Sequence, residues 1–473
     1  MFENKSVKDL ISLVKKGDIT IRELNEYYIQ KIKKINPKLN AIVSIKNENQ
    51  ILDEAVKKDK QKNKSSLLFG LPIAIKDLSD VAGIPTTYGY EGSKNNLPKK
   101  NSLFVDRLIK NGAIIIGKTN TAELGVGGHT TNRLFGPTSN VYDLSKSAAG
   151  SSGGASSAVA SGILPFADGT DQMGSCRGPA AYANIYGFRP TPGLIPSDRS
   201  NHNKKLPVLT TPGCFARTPE DMAFFLDATK GQSSLDPYSF ELKNNFINSE
   251  FTDEEFSNLK ICWLSDMEKK YELESEILEL CNKQLISLEK NKIEIDLPKI
   301  NINVDDLWES WTCLRSKSIY EDTIAMNIKN ISEMTYQAIW EFKNGLKVKD
   351  DNINFAMKKR NNCFYEVEKL FEKYDFLALP SAQVFPFDKN IQYPTEINSK
   401  KIETYHKWLE IFIMSSLLDL PTITVPVGFN KNGYPMGLQI IGKKGSDLNV
   451  YNFAKKYENI FNFSNIKPKI SSN

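Results

Sequence analysis

Between Ala148 and Ala180 the chain reads AAGSSGGASSAVASGILPFADGTDQMGSCRGPA, and this run of small residues narrows the folds open to it. Gly150, Gly153 and Gly154 surround Ser151-Ser152, while Gly169 and Gly174 punctuate the approach to Ser175. Glycine reaches backbone conformations that a Cβ makes costly, so two sharp turns are expected, each presenting a serine. The segment 155–164 between them is apolar and helix-like, unlike a flexible Gly/Ser linker. The stretch therefore belongs inside a packed domain, where neighbouring elements approach its backbone closely.

The surroundings supply those neighbours. Capping boxes at Ser6-x-x-Asp9 and Thr20-x-x-Glu23 announce two helices, the second expected to stop at Pro37. Residues 41–45 (AIVSI) and 71–75 (LPIAI) are strand candidates, the latter delivering Lys76 at its end, and 113–116 (AIII) follows a helix over 102–110. A strand at 260–264, an amphipathic helix over 274–289 and an alternating strand at 293–297 form a βαβ unit. Further strands are expected at 374–380, 422–427 and 436–441. The pattern predicts an α/β fold with a large mixed, mostly parallel β-sheet core covered by α-helices on both faces. Residues 300–370 are helical and carry Trp308, Trp311 and Trp340. A single domain over 1–473 with that helical insertion is the simplest architecture.

Charge and cysteine usage exclude several function classes. The 61 basic and 56 acidic residues are scattered, with none of the clustering of a nucleic-acid surface. No apolar run approaches the roughly 18 residues of a spanning helix, and residues 1–25 lack the apolar centre of a signal peptide. Cys176, Cys214, Cys262, Cys281, Cys313 and Cys363 include no C-x-x-C pair, which fits single reduced thiols better than disulfides or zinc. A soluble cytoplasmic protein is expected, with no membrane or nucleic-acid partner, no metal and no cofactor.

A nucleophilic serine needs a base. His129, His202 and His406 are far apart in the chain and sit in no motif. Lysine can serve when neutral, and burial lowers its pKa because the charged form loses hydration. Lys76, at the end of an apolar run, is a candidate base, with a surface lysine at a strand end as the competing reading; Ser151 could pass a proton from Ser175 to Lys76 Nζ, because a hydroxyl both donates and accepts. The N–H groups of Gln172, Met173, Gly174 and Ser175 are candidates for an oxyanion hole. A phosphate cradle and tight packing without chemistry are the competing uses of such a stretch.

These residues resemble the amidase signature family. The likeness rests on GLPIAIKD at 70–77, AAGSSGGASSAVASG at 148–162, DGTDQMGSCRGPAAYANIYGFRPTPGLIP at 168–196, and PTITVPVGF with GYPMGLQIIG over 421–442. It implies the amidase signature fold, with 66–200 as the core carrying the chemistry and 300–370 shaping the substrate pocket. It also implies Lys76 as base, Ser151 as bridge after a cis peptide bond from Gly150, and Ser175 as nucleophile. Gly150, Ser152, Asp171 and Arg177 take supporting places. The reaction implied is amide hydrolysis to an acid plus ammonia or an amine, through an acyl-enzyme on Ser175. The chain departs from the family pattern at Met173 and Ala149, where glycines are usual; both add a Cβ beside the nucleophile, and a narrower acyl pocket is expected.

One branch of the family is the glutamine-hydrolysing subunit of a tRNA-dependent amidotransferase. Its segment after the nucleophile resembles Y-G-x-V-S-R-Y-G, whereas this chain has TPGLIPSDRSNHNKK, closer to free-standing acylamidases and cyclic-amide hydrolases. A free-standing enzyme acting on a small-molecule amide is the expectation, with a homodimer allowed. The amidotransferase subunit, an esterase and a non-catalytic binding protein on the same fold are the alternatives.

Overall fold

The computed structural model describes residues 2, 5–199, 202, 203, 205–328 and 330–472. Both capping boxes form: Ser6 and Thr20 accept the N–H of Asp9 and Glu23, whose carboxylates return to the cap N–H, starting helices Val7–Lys16 and Ile21–Leu39. Pro37 does not stop the second helix. The carbonyl it leaves unpaired, on Lys33, belongs to an exposed residue, and fully buried Leu39 draws the last turn onto the core before Asn40 ends it in a left-handed conformation.

The first three strands, β1 (Ile42–Ile45), β2 (Pro72–Lys76) and β3 (Ile114–Thr119), form a small sheet in the order β1-β3-β2. In chain order there follow β4 (Phe166–Asp171), β5 (Tyr186–Arg189), β6 (Thr211–Ala216), β7 (Lys260–Trp263), β8 (Glu294–Asp296) and β9 (Phe376–Pro380). A two-residue ribbon, β10 (Glu396–Ile397) with β11 (Lys400–Lys401), precedes β12 (Thr422–Phe429) and β13 (Pro435–Gly442). The large sheet has eight strands in the order β4-β6-β5-β12-β13-β9-β7-β8.

That sheet is mixed, as expected, but the expected majority of parallel pairs is not found. Of its seven neighbouring pairs, five are antiparallel, and only β9 with β7 and β7 with β8 run parallel. The expectation rests on strands alternating with helices, whereas β12 returns directly into β13 through a tight turn in which Gly433 N–H donates to the Asn430 carbonyl. The βαβ unit is present, with helix Ile277–Glu289 between β7 and β8. Helices Gly153–Ala160, Arg177–Ala183, Pro219–Thr229 and Asp447–Phe461 also pack on the large sheet. Helices Val304–Ala325, Tyr336–Lys347 and Asp350–Phe371 occupy most of 300–370; the first and third contribute Trp311, Leu314, Ile353 and Val367 to a second apolar cluster, and the middle one puts Ala338 in a third. Among the described residues no helix is long and apolar enough to cross a membrane.

Candidate active site

The apolar run of β2 carries Lys76 into the interior, where its side chain is fully buried. The Lys76 N–H donates to Asp168 Oδ1 of β4 at 2.8 Å, joining the end of the small sheet to the edge of the large one. Lys76 Nζ meets three hydroxyls: Ser151 Oγ at 2.7 Å, Ser152 Oγ at 2.6 Å and Thr170 Oγ1 at 2.9 Å. Burial lowers its pKa to about 8, outweighing the opposing pull of Cys176, Asp168 and Asp171. A neutral amine offers two N–H groups and a lone pair, so one hydroxyl must then donate to it. Ser152 Oγ has another acceptor, the Thr170 carbonyl at 3.3 Å, which leaves Ser151 and Thr170 to fill that place.

A second buried lysine makes an instructive contrast. Lys118 of β3 donates to the Ser79 carbonyl and to Thr86 Oγ1 at 3.0 Å, and lies 3.9 Å from Asp77 Oδ1. It touches backbone, a threonine and a carboxylate, and so fastens the loop after β2. Lys76 has no ion-pair partner among the described residues; it touches hydroxyls alone, two of them from the Ser151-Ser152 turn.

The Gly150–Ser151 peptide is cis, and Ala149 before it takes a left-handed φ of 57°. Ser175 lies in the turn between β4 and helix Arg177–Ala183, 7% exposed. Gly174 is required there twice over, since its φ is 82° and a Cβ would strike the Phe412 ring. The turn is held from beneath by the fully buried Asp171–Arg177 pair. Arg177 Nη2 donates to Asp171 Oδ1 at 2.8 Å and Nε to Oδ2 at 3.1 Å, while Nη1 reaches Ser415 Oγ at 2.6 Å and Gln439 Oε1 of β13 at 2.7 Å. Arg189 of β5 adds a bond to the Asp171 carbonyl at 2.5 Å. Burial works to raise the Asp171 pKa, but the Arg177 guanidinium holds it below the ordinary carboxylate range.

Asp171 also accepts the N–H of Gly174 at 3.1 Å and of Cys176 at 2.9 Å. The Gly174 N–H, one of the four expected oxyanion donors, is thus bonded to Asp171 in this structure. The N–H groups of Gln172, Met173 and Ser175 have no acceptor among the described residues. Ser175 Oγ likewise has no hydrogen-bond partner among them, so its link to Ser151 is not made. Met173 is buried, in the cluster with Leu206, Trp311 and Phe412.

The histidines stand elsewhere. His129 pairs with Ser147 Oγ and the Lys389 carbonyl, His202 with the Leu206 carbonyl, and His406 is buried among Trp308, Trp340 and Tyr405. Among the described residues, no group of three or more His, Cys, Asp or Glu side chains is placed to hold a metal ion. Thr170 and Asp168 escape the sequence reasoning: two residues apart on β4 they share a face, and both meet Lys76.

Comparison with known proteins places this geometry in context. The family model described as Amidase matches residues 23–450. An acylamidase of Rhodococcus erythropolis is 30% identical over 471 residues, covering 98% of this chain and 97% of that one. One of the subunits of the glutamyl-tRNA(Gln) amidotransferase of Sulfolobus acidocaldarius is 27% identical over 490 residues, covering 98% and 100%. A solved bacterial aryl acylamidase of the amidase signature enzymes superposes with a TM-score of 0.91 at 25% identity, over 99% of this chain and 98% of that one.

Proposed function

Because this chain belongs to the amidase signature family and is an amide hydrolase, we propose that it cleaves a small-molecule carboxylic acid amide through a Ser175–Ser151–Lys76 relay and an acyl-enzyme on Ser175. The observation that carries the relay is the contact of buried Lys76 Nζ with Ser151 Oγ at 2.7 Å. Neutral Lys76 takes the Ser151 proton as Ser151 takes that of Ser175, and Ser175 Oγ adds to the amide carbonyl. The free N–H groups of Gln172, Met173 and Ser175 are the donors for the oxyanion that forms. The adduct collapses with the C–N bond breaking, the amine leaves with the proton returned through Ser151, and water cleaves the ester by the same route. Catalytic hydrogen bonds often tighten only once substrate is bound, which accounts for the open Ser151–Ser175 link.

The test is incubation of the isolated chain with simple aliphatic, aromatic and peptide amides, scored for release of ammonia or amine. A free-standing amidase turns over at least one class alone, whereas an amidotransferase subunit needs partner chains and charged tRNA. Lys76 is a base only when neutral, so the rate should climb with pH through about 8 and level off above it. At pH 6 about a hundredth of the plateau is expected, one decade lost per unit. A flat profile between about pH 6 and 9 would assign the base to another group.

A further inference from the structure

The nucleophile turn is tied to the helical stretch 300–370 through one side chain. Gln172, whose N–H is one of the three without an acceptor, receives at its side-chain oxygen a hydrogen bond from Arg315 Nη1, on helix Val304–Ala325. The buried guanidinium has two other partners: Nε donates to Glu341 Oε1 at 2.9 Å and Nη2 to the Tyr405 hydroxyl at 3.1 Å. Glu341 also accepts the Tyr405 hydroxyl at 2.6 Å and Ser316 Oγ at 2.5 Å. Helix Tyr336–Lys347 brings Glu341 this close because Gly345, one turn on, has no Cβ to collide with the Ser316 carbonyl. Burial opposes the charge on Glu341, and Arg315 beside it keeps the carboxyl below its ordinary range.

A buried ion pair is a poor source of stability, since desolvation offsets its attraction. As a rigid fork, however, an arginine whose charge is balanced by Glu341 can hold a neutral amide in place without setting net charge beside the reacting carbonyl. We infer that Arg315 is a positioning residue for acylation: it fixes Gln172, and through it the N–H that faces the developing oxyanion. The stretch 300–370 then takes part in stabilising the tetrahedral adduct as well as in shaping the pocket. The inference rests on Ser175 being the nucleophile, as proposed above.

Phosphonylation of Ser175 by a fluorophosphonate, located by peptide mass spectrometry, tests it without a known substrate. Gln172→Leu removes the acceptor while sparing the Arg315–Glu341 pair, and should lower the inactivation rate constant roughly 10- to 100-fold, short of the loss of a whole oxyanion donor. The inhibition constant should stay within about twofold, because a misplaced donor costs the transition state more than the encounter complex. Arg315→Lys should share the deficit, and the double variant should be no slower than the slower single, with unfolding temperatures close to the parent. Labelling of Gln172→Leu at the parental rate, or losses that multiply in the double variant, would overturn the inference and leave the nucleophile assignment standing. A parent that is not labelled on Ser175 would overturn both.

Discussion

Replacing Lys76 with alanine is expected to slow acylation of Ser175 by about a hundredfold to ten-thousandfold, the range spanned by loss of a positioned general base. Among the described residues no other titratable side chain hydrogen-bonds to Ser151 or to the Ser175 hydroxyl. The histidines have other partners or are walled in by aromatic rings, and Lys118 faces Ser79, Thr86 and Asp77. Asp171, the nearest carboxylate in sequence, is held ionised by Arg177 and lends its oxygens to Gly174 and Cys176. Truncation leaves Ser151, Ser152 and Thr170 around a polar space that water can fill, so the fold should survive. Lys76→Met, which keeps the stem but has no amine, should be as slow as the alanine variant. Release of amine from an amide the parent cleaves reads both, and turnover near the parental rate in either would sink the relay.

The turn around Ser175 and the entry of Lys76 are legible in the sequence because both depend on local features. Gly174 takes a left-handed φ, Gly150, Gly153 and Gly154 leave no room for a Cβ against neighbouring segments, and an apolar run that ends on a lysine must bury at least its stem. β4 and β6 are not legible in this way. Their sequences, FADGTD and TPGCFA, contain the glycine, proline and aspartate that depress strand propensity, and they are strands because Phe166 to Asp171 pairs with Ala216 to Thr211 across a large sequence separation. Thr170 goes unseen for the same reason, and so does Arg315, 143 residues from Gln172. Met173, which reads from sequence as a Cβ intruding beside the nucleophile, lies buried in an apolar cluster built largely by residues beyond 200. What resists sequence reasoning here is contact between distant segments.

The second large effect is expected at Arg177. Fully buried, it holds the Asp171 carboxylate with two donors, reaches Ser415, Ser416 and Gln439 with others, and stacks over Phe412 at 5.0 Å. Arg177→Met keeps much of the volume but strands a buried carboxylate, a change that typically costs about 3–5 kcal/mol. Arg189 remains, yet its guanidinium lies 3.5 Å from Asp171 Oδ1, too far to replace the fork. The urea midpoint at pH 7 should fall, and the pH dependence should change with it. In the parent the folded-state pKa of Asp171 is depressed, so this pair contributes stability above the unfolded value of about 4, and that contribution is lost as pH falls through the folded value. Without Arg177 burial raises the pKa instead, the folded state takes up a proton more readily than the unfolded one, and the variant should lose its deficit on mild acidification. Asp171→Asn in the same chain should recover part of the loss at pH 7, because the amide needs no counter-charge. A midpoint unchanged by Arg177→Met would mean that the turn bearing Ser175 is held by its backbone and Gly174 alone, with the buried ion pair beneath it contributing nothing to its hold.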